Sequence, residues 1–339
     1  MVFSVLPVWM VRRLCAALTN LAVLFLVFGT ASAQSPADAG PEKVTVGTFV
    51  NDVQNVSLES HSYMVDFYVW MRWRDPSINP LLTMEFINPY QVWDHMTTMQ
   101  EGKPIPMPDG SLYMFLRYQG QFNSKLPLER YPFDQQNLTV IFEDSVLDTS
   151  KLVYVPDRVP ATLNPEMTLP GYLVGQPRLT IGNTPYDTNF GDIRDQIHPG
   201  YSEVTLTIPV HRPMLTYSIK VILPIFLVVA SAALTFFIQP NYVEARIGMG
   251  ITTLLTLVAL QLTMNTQLPT VDYLMMVDML YFVAYGFVVA AIAQVVRASW
   301  AASRQEAAAV VRQDRRTLTA LAAIYLVSSG AIILRALLS

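Results

Sequence analysis

After Arg212 the chain changes character, and four long apolar runs follow at residues 214–238, 244–266, 273–296 and 317–338. Each run is about long enough, as a helix, to cross the roughly 30 Å of hydrocarbon in a bilayer. In lipid every backbone N–H and C=O has to be satisfied internally, so runs of this kind predict four membrane-spanning helices. Composition agrees, with 52% hydrophobic and only 14% charged residues in a chain of 339, but the polar first half must fold outside the bilayer.

That first half divides in two. Residues 1–33 have the form of a secretory signal: Arg12 and Arg13, an apolar stretch from Leu14 to Phe28, and Ala31-Ser32-Ala33 as a small-residue cleavage site before Gln34,. A retained anchor helix is the alternative. The single cysteine, Cys15, lies in this leader, so a mature chain has no internal disulfide and no cysteine metal site,. Residues 34–213 then form the outer domain, which from about Lys43 onward has β texture. Alternating, β-branched or aromatic stretches occur at 44–50, 63–73, 111–122, 138–142, 152–155, 172–181 and 202–211, with Pro and Gly clusters such as residues 103–110 between them,. So many short strands in one stretch suit a β-sandwich, two sheets packed face to face. Acidic side chains outnumber Lys and Arg here, so the domain should attract cations or amines,.

The second apolar run is mild for a lipid-facing helix. At helical spacing Gly248, Thr252, Leu255, Ala259, Leu262 and Thr266 share one stripe, while Leu254, Leu257, Val258 and Leu260 fall mostly elsewhere,. Small, hydroxylic and singly apolar side chains make a poor lipid face and a suitable wall for water and ions. Such a stripe is buried by facing like copies around water, in a ring closed by head-to-tail contacts. In an ordinary bundle Thr252, Thr256 and Thr266 would instead bond back to their own helix. Glu244 and Arg246 stand at one end only, at the headgroups in one reading and at a pore mouth in the other. Residues 297–316, between the third and fourth runs, hold Arg297, Arg304, Arg312, Arg315 and Arg316 against Glu306 and Asp314. The positive-inside rule puts this linker in the cytoplasm and both the N-terminal domain and the C-terminus outside, across an inner membrane.

Arg130-Tyr131-Pro132-Phe133-Asp134-Gln135-Gln136 resembles the aromatic-Pro-Phe-Asp loop signature of the pentameric ligand-gated ion channels, the Cys-loop receptor family. The cysteines that bracket that loop in animal members are matched by Ser124 and Leu138, as in bacterial members without the disulfide. Trp73-Arg74-Asp75, Arg212 before the first span, Ile222-Leu223-Pro224 within it and Leu268-Pro269 after the second are also similar, so the resemblance covers about residues 43–338. It implies a homopentamer in a lipid bilayer: five β-sandwiches over a channel domain, residues 214–339, whose second spans line a pore for inorganic ions. Leu255 would form the closed gate, an apolar constriction that dewets, and Leu262 a second ring. Thr252 and Gly248 would line the cytoplasmic end, with Ala259 and Thr266 further out. Glu244 would give a ring of carboxylates that favours cations, and Arg246 resembles a basic residue that members usually turn away from the axis. The run at residues 245–253 nevertheless resembles the anion-selective branch, which has proline where Glu244 stands, so an anion-selective channel is the alternative.

For gating, the resemblance brings together the turn at Glu59, the loop Tyr131, Pro132, Phe133 and Asp134, and the connection after the pore helix that begins near Pro269. It pairs Asp134 with Arg212 and puts Glu59 nearby. The agonist site would lie between subunits, with Tyr68, Trp93, Glu143, Tyr186 and Phe190 as candidate residues. Ser145 and Gln100 stand where many members have aromatic side chains, so the cage is incomplete and choline-like agonists are disfavoured. A small amine or a proton is expected instead, with Glu143, Asp144, Asp187, Asp192, His198 and His211 as titratable or cation-binding groups. Asp278, an acid in the third span, could bond to Gln261 of the pore helix or reach a headgroup. The sequence assembles no phosphate loop, metal-ligand cluster or nucleophile with partners, so no enzyme activity, cofactor, metal or nucleic-acid partner is expected. A non-conducting periplasmic ligand sensor on a four-span anchor is the competing function.

Overall fold

The computed structural model describes residues 40–91, 95–99, 102–189, 191, 200–302 and 307–338. The expected leader at residues 1–33 lies outside them, as do Trp93, Gln100, Phe190, Asp192 and His198.

The β half is a sandwich of two sheets. The six-stranded sheet has the order β4 (Met96–Met99), β6 (Leu112–Asn123), β2 (Ser62–Trp73), β1 (Glu42–Ser57) and β8 (Leu152–Leu163), with β5 (Ile105–Pro106) paired to β6. The five-stranded sheet has the order β10 (Arg178–Thr184), β11 (Tyr201–His211), β7 (Gln135–Asp144) and β3 (Met84–Phe86), with β9 (Leu173–Val174) paired to β11. Neighbours are antiparallel except β1 and β8, which run parallel. Strict alternation explains the sandwich: Val65, Phe67, Val69, Met71 and Trp73 of β2 point into the core, as do Leu138, Val140 and Phe142 of β7 and Val204, Leu206, Ile208 and Val210 of β11,. Outward residues such as Tyr68 and Glu143 therefore sit on the outer faces of opposite sheets. Gly47 of β1 is needed for close approach, because a Cβ there would lie 2.4 Å from the ring of Trp70,.

Four helices follow that are long and apolar enough to cross a membrane: α1 (Met214–Phe237), α2 (Val243–Asn265), α3 (Met276–Ala302) and α4 (Ala307–Leu338). In α1 a wider π-type turn at Ser218–Ile222 comes just before Pro224, whose missing N–H cannot continue the regular ladder,. Helices α3 and α4 extend well beyond the apolar runs, so most of residues 297–316 is helix rather than linker loop. Hydropathy reports where lipid lies, whereas the Ala- and Arg-rich flanks remain good helix formers outside it. The ends also shift on the other side: α3 starts at Met276 rather than at 273, because Asp278 Oδ2 accepts the Met275 N–H at 3.0 Å and holds the chain at the helix start,. Asp278 thus anchors the start of its own helix, and Gln261 instead accepts a bond from Tyr285 Oη at 2.7 Å.

Candidate functional site

Helix α2 packs by one face only. Arg246, Gly250, Thr253 and Leu257 are its buried residues, spaced four, three and four apart along a single back face,. The contact with α3 is close, since a Cβ on Gly250 would lie 2.7 Å from Ile292 Cγ1. The opposite face is bare in the subunit. Glu244, Gly248, Thr252, Leu255, Ala259, Leu262 and Thr266 are all exposed, Leu255 by 64% and Leu262 by 61%. The stripe read from spacing is thus left uncovered by the described elements of the chain, and Ile251 and Val258 beside it are exposed as well. Its hydroxyls do bond back to their own helix: Thr252 to the Gly248 carbonyl at 2.9 Å, Thr256 to Thr252 at 2.8 Å, and Thr266 to Thr263 at 2.8 Å. A hydroxyl that has donated its proton in this way retains oxygen lone pairs, so back-bonding leaves the exposed face with acceptors rather than removing it from solvent.

At the Glu244 end, the two charges of α2 have different fates. Glu244 is exposed, whereas Arg246 is 1% exposed and donates from Nε to the Thr235 carbonyl of α1 at 3.0 Å and from Nη2 to Asp314 Oδ2 of α4 at 2.7 Å. The second carboxylate oxygen of Asp314 accepts from Gln294 of α3 at 2.8 Å. Asp314, Gln294 and Thr235 were not legible as site residues, because only folding brings these helices together.

At the other end, the loop signature inserts into the helices. Leu128 and Tyr131 are buried in one apolar cluster with Val221 and Ile225 of α1, Leu268 after α2, and Met276 and Leu280 of α3. The Leu128 N–H donates to Tyr273 Oη at 3.0 Å, and the Met276 N–H donates to the Glu129 carbonyl at 2.9 Å. Pro132 and Pro269 are buried beside them, and Phe133 packs against the same cluster. Arg212 donates from Nε to Asp134 Oδ1 at 2.9 Å and from Nη2 to Tyr172 Oη at 2.7 Å. Asp134 is further held by Gln136, which donates at 2.7 Å. The guanidinium also lies 5.2, 4.6 and 4.7 Å from the ring centres of Tyr131, Tyr172 and Tyr217, each contact worth about 0.5–2 kcal/mol. Burial works against the charge of Arg212, but Asp134 and the three tyrosines more than offset it and raise its pKa. Burial also pushes the Tyr172 phenol up to about 12. Glu59 is exposed on the β1–β2 turn, whose Leu58 packs against the same apolar cluster, and it makes no hydrogen bond or ion pair with Arg212 among the described residues.

A third site sits on the outer face of the five-stranded sheet. Glu143 of β7 is cross-strand partner to Glu203 of β11 and Glu85 of β3. Glu143 is 6% exposed, accepts from Tyr186 Oη at 2.8 Å through one oxygen, and has no partner for the other among the described residues. Burial raises its pKa; the bond from Tyr186 lowers it, while Glu203, Glu85 and Asp144 add to the rise. Tyr186 is pushed up to about 12 by burial and by that bond. The adjacent Asp144 is different in kind, because it is satisfied by Thr83 and by the N–H groups of Val146 and Leu147 at 2.9 and 2.7 Å, which makes it a turn anchor. Of the expected agonist residues the chain thus joins Glu143 and Tyr186, with Tyr68 on the opposite sheet beside Arg117. Among the described residues no group of three or more His, Cys, Asp or Glu is placed to hold a metal ion.

The family model of the neurotransmitter-gated ion-channel transmembrane region matches residues 221–327, from within α1 to within α4. The chain is 23% identical over 273 residues to the gamma-aminobutyric acid receptor subunit beta-4 of Gallus gallus, 74% of this chain and 54% of that one. Over these stretches it is similar to the Cys-loop family of pentameric ligand-gated ion channels. It is also 22% identical over 269 residues to the human gamma-aminobutyric acid receptor subunit rho-3, 73% of this chain and 56% of that one. A third relative is the pH-sensitive chloride channel 2 of Anopheles gambiae, 26% identical over 183 residues, 53% of this chain and 29% of the relative. The chain thus spans little more than half, or less, of the length of these relatives. A β-sandwich followed by four apolar helices is the expected architecture for the family, and the protein is a multi-pass membrane protein.

Proposed function

We propose that five copies of this chain form a ring in a lipid bilayer, with the bare face of α2 lining a cation-conducting pore that an agonist at the outer domain opens. One observation carries the reading: the exposed face of α2 is centred on a small and hydroxylic stripe in which Leu255 and Leu262 are the large apolar members, with Ile251 and Val258 exposed at its edge. Facing lipid, that face would contribute little; facing its copies, it lines water, and five Leu255 side chains make a gate that dewets. Glu244 gives the mouth a ring of carboxylates, and the charge of Arg246 is already neutralised. The arginine-rich flanks of α3 and α4 support a cytoplasmic position for this mouth, with residues 34–213 and the C-terminus outside and residues 1–33 removed.

The agonist is a small amine or a proton at Glu143 and Tyr186, completed by Tyr68 of a neighbouring copy. The partnerless carboxylate oxygen of Glu143 suits either. Tyr68 and Glu143 lie on outward faces of opposite sheets, so two copies side by side can set one against the other. Gating then runs from that sheet through β7 and its loop to Arg212 and the α2–α3 connection. Anion selectivity is the second reading, favoured by the chloride channel among the relatives and by the run at residues 245–253. Purified protein in planar bilayers tests all of this. Unitary currents on lowering external pH or adding amines, with reversal potentials that follow sodium, support the proposal. Currents that follow chloride select the anion reading, and silence under every condition selects a non-conducting sensor.

A further inference from the structure

The inner end of α2 carries one acid and one base two residues apart, and five copies of each around a narrow mouth would nearly cancel. Arg246 does not reach that mouth because of a residue on another span. Its guanidinium is drawn to the back of the helix by Asp314, 68 residues later in the chain, at 2.7 Å, and by the Thr235 carbonyl at 3.0 Å. Both charged side chains are almost wholly buried, 1% and 2% exposed, so their attraction is little screened by water or salt,. Asp314 is itself fixed, since its other oxygen accepts from Gln294 at 2.8 Å. The four helices thus meet at one ion pair, and the charge left on the exposed face at this end of α2 is that of Glu244.

We infer that Asp314 is the residue of the fourth span that sets the charge selectivity of the pore, acting as a positioning residue that holds and neutralises Arg246. This rests on the channel reading above. Without the carboxylate, Arg246 becomes an uncompensated charge in a dry site near the start of α2, and its long stem lets the guanidinium swing out to water at the mouth that Glu244 also lines. A guanidinium beside each Glu244 carboxylate brings the mouth close to neutral, and the preference for cations weakens.

The experiment is the sodium-to-chloride permeability ratio of the full-length protein in planar bilayers under a sodium chloride gradient, with pentamer assembly checked by size exclusion. Asp314→Asn should lower the ratio by about threefold or more, and Asp314→Glu should keep it near the wild-type value. The double variant Arg246→Gln/Asp314→Asn, which removes both charges, should return the ratio to wild type, which a general loosening of the bundle would not do. A conducting Asp314→Asn channel with unchanged selectivity overturns the inference, and so does a double variant as shifted as the single one. If Asp314→Asn does not assemble, the exchange Arg246→Asp/Asp314→Arg decides. Pairing is then retained with the signs reversed, and wild-type selectivity supports the inference, whereas a ratio that follows the new charge on α2 overturns it. A wild-type protein that never conducts rejects the channel reading and this inference with it, while a conducting wild type with an unmoved Asp314→Asn rejects this inference alone.

Discussion

Helices α2 and α4 are the two least covered spans of the subunit, and they present opposite chemistry to their surroundings. Helix α4 exposes Ile324, Leu326, Val327, Leu334 and Leu338, bulky aliphatic groups whose free surface suits hydrocarbon,. Helix α2 exposes Gly248, Thr252, Thr256, Ala259 and Thr263, with Leu255 and Leu262 standing among them and Ile251 and Val258 at the edge of that face. Similar exposure therefore does not mean the same solvent. What a bare helix faces is decided by which atoms it bares, and a polar stripe on a membrane span is stable only against water or its own copies.

The hardest test of that contrast is a hydroxyl at one exposed apolar group of each face. Leu255→Ser should raise agonist-independent current by about tenfold or more, because a hydroxylated constriction stays wet. Val327→Ser on α4 should leave that current unchanged. If the two variants behaved alike in single-channel recordings, the contrast between a water face and a lipid face would fail.

The two helices also differ in what holds their ends beside the β domain. The connection that follows α2 is buried under Leu128 and Tyr131, whereas Leu338 at the end of α4 is 78% exposed. Arg212→Ala leaves Asp134 buried without its counter-charge and should cost on the order of 3–5 kcal/mol, read as loss of assembled pentamer or a lower thermal midpoint. Leu338→Ala should change stability by no more than about 0.5 kcal/mol. Comparable losses would mean that the outer domain grips both helices equally.

A smaller effect is expected at the charged ends. Glu244→Gln should reduce the sodium-to-chloride permeability ratio several-fold, roughly what the loss of a carboxylate ring at a constriction implies. Arg335→Gln, near the far end of α4, should not move the reversal potential. A ratio unaffected by Glu244→Gln would mean that the mouth of the pore is elsewhere.

The smallest effect should come from a residue that touches neither helix. The folded state holds the proton of Glu143 above its ordinary value near 4.5. Its contribution to stability is therefore fully present below that pH and is lost as pH rises through the folded value, where the unfolded chain has already released the proton. Glu143→Gln should flatten that part of the stability curve and raise the thermal midpoint at neutral pH, with the bond from Tyr186 retained. In reconstituted channels the same variant should blunt the response to external acid without changing selectivity, which would separate agonist sensing from the pore.

Much of the fold was legible because it follows periodicity. The long strands β1, β2, β6, β7 and β11 were visible as alternating stretches, since each buries one face along its whole length. Strands β3, β4 and β5 were missed, being two to four residues long and too short to show a period. The stretch at 172–181 proved to be two strands, broken where Gly175 packs against Pro209 and Pro177 cannot donate to a ladder,. The exposed stripe of α2 was readable from residue type and spacing alone. The tyrosines around Arg212 were not readable, because only folding brings Tyr172 and Tyr217 up to Tyr131.

The sequence by itself determined the four spans, the sandwich texture, the loop that joins them and the mild face of α2, because local period and residue type govern burial. The tertiary structure decided the partner of each buried charge: Asp134 for Arg212 across 78 residues, Asp314 for Arg246 across 68, and Glu203 and Glu85 around Glu143. A desolvated charge must be matched by whatever the packing brings within hydrogen-bonding distance, and no local pattern along the chain encodes that distance.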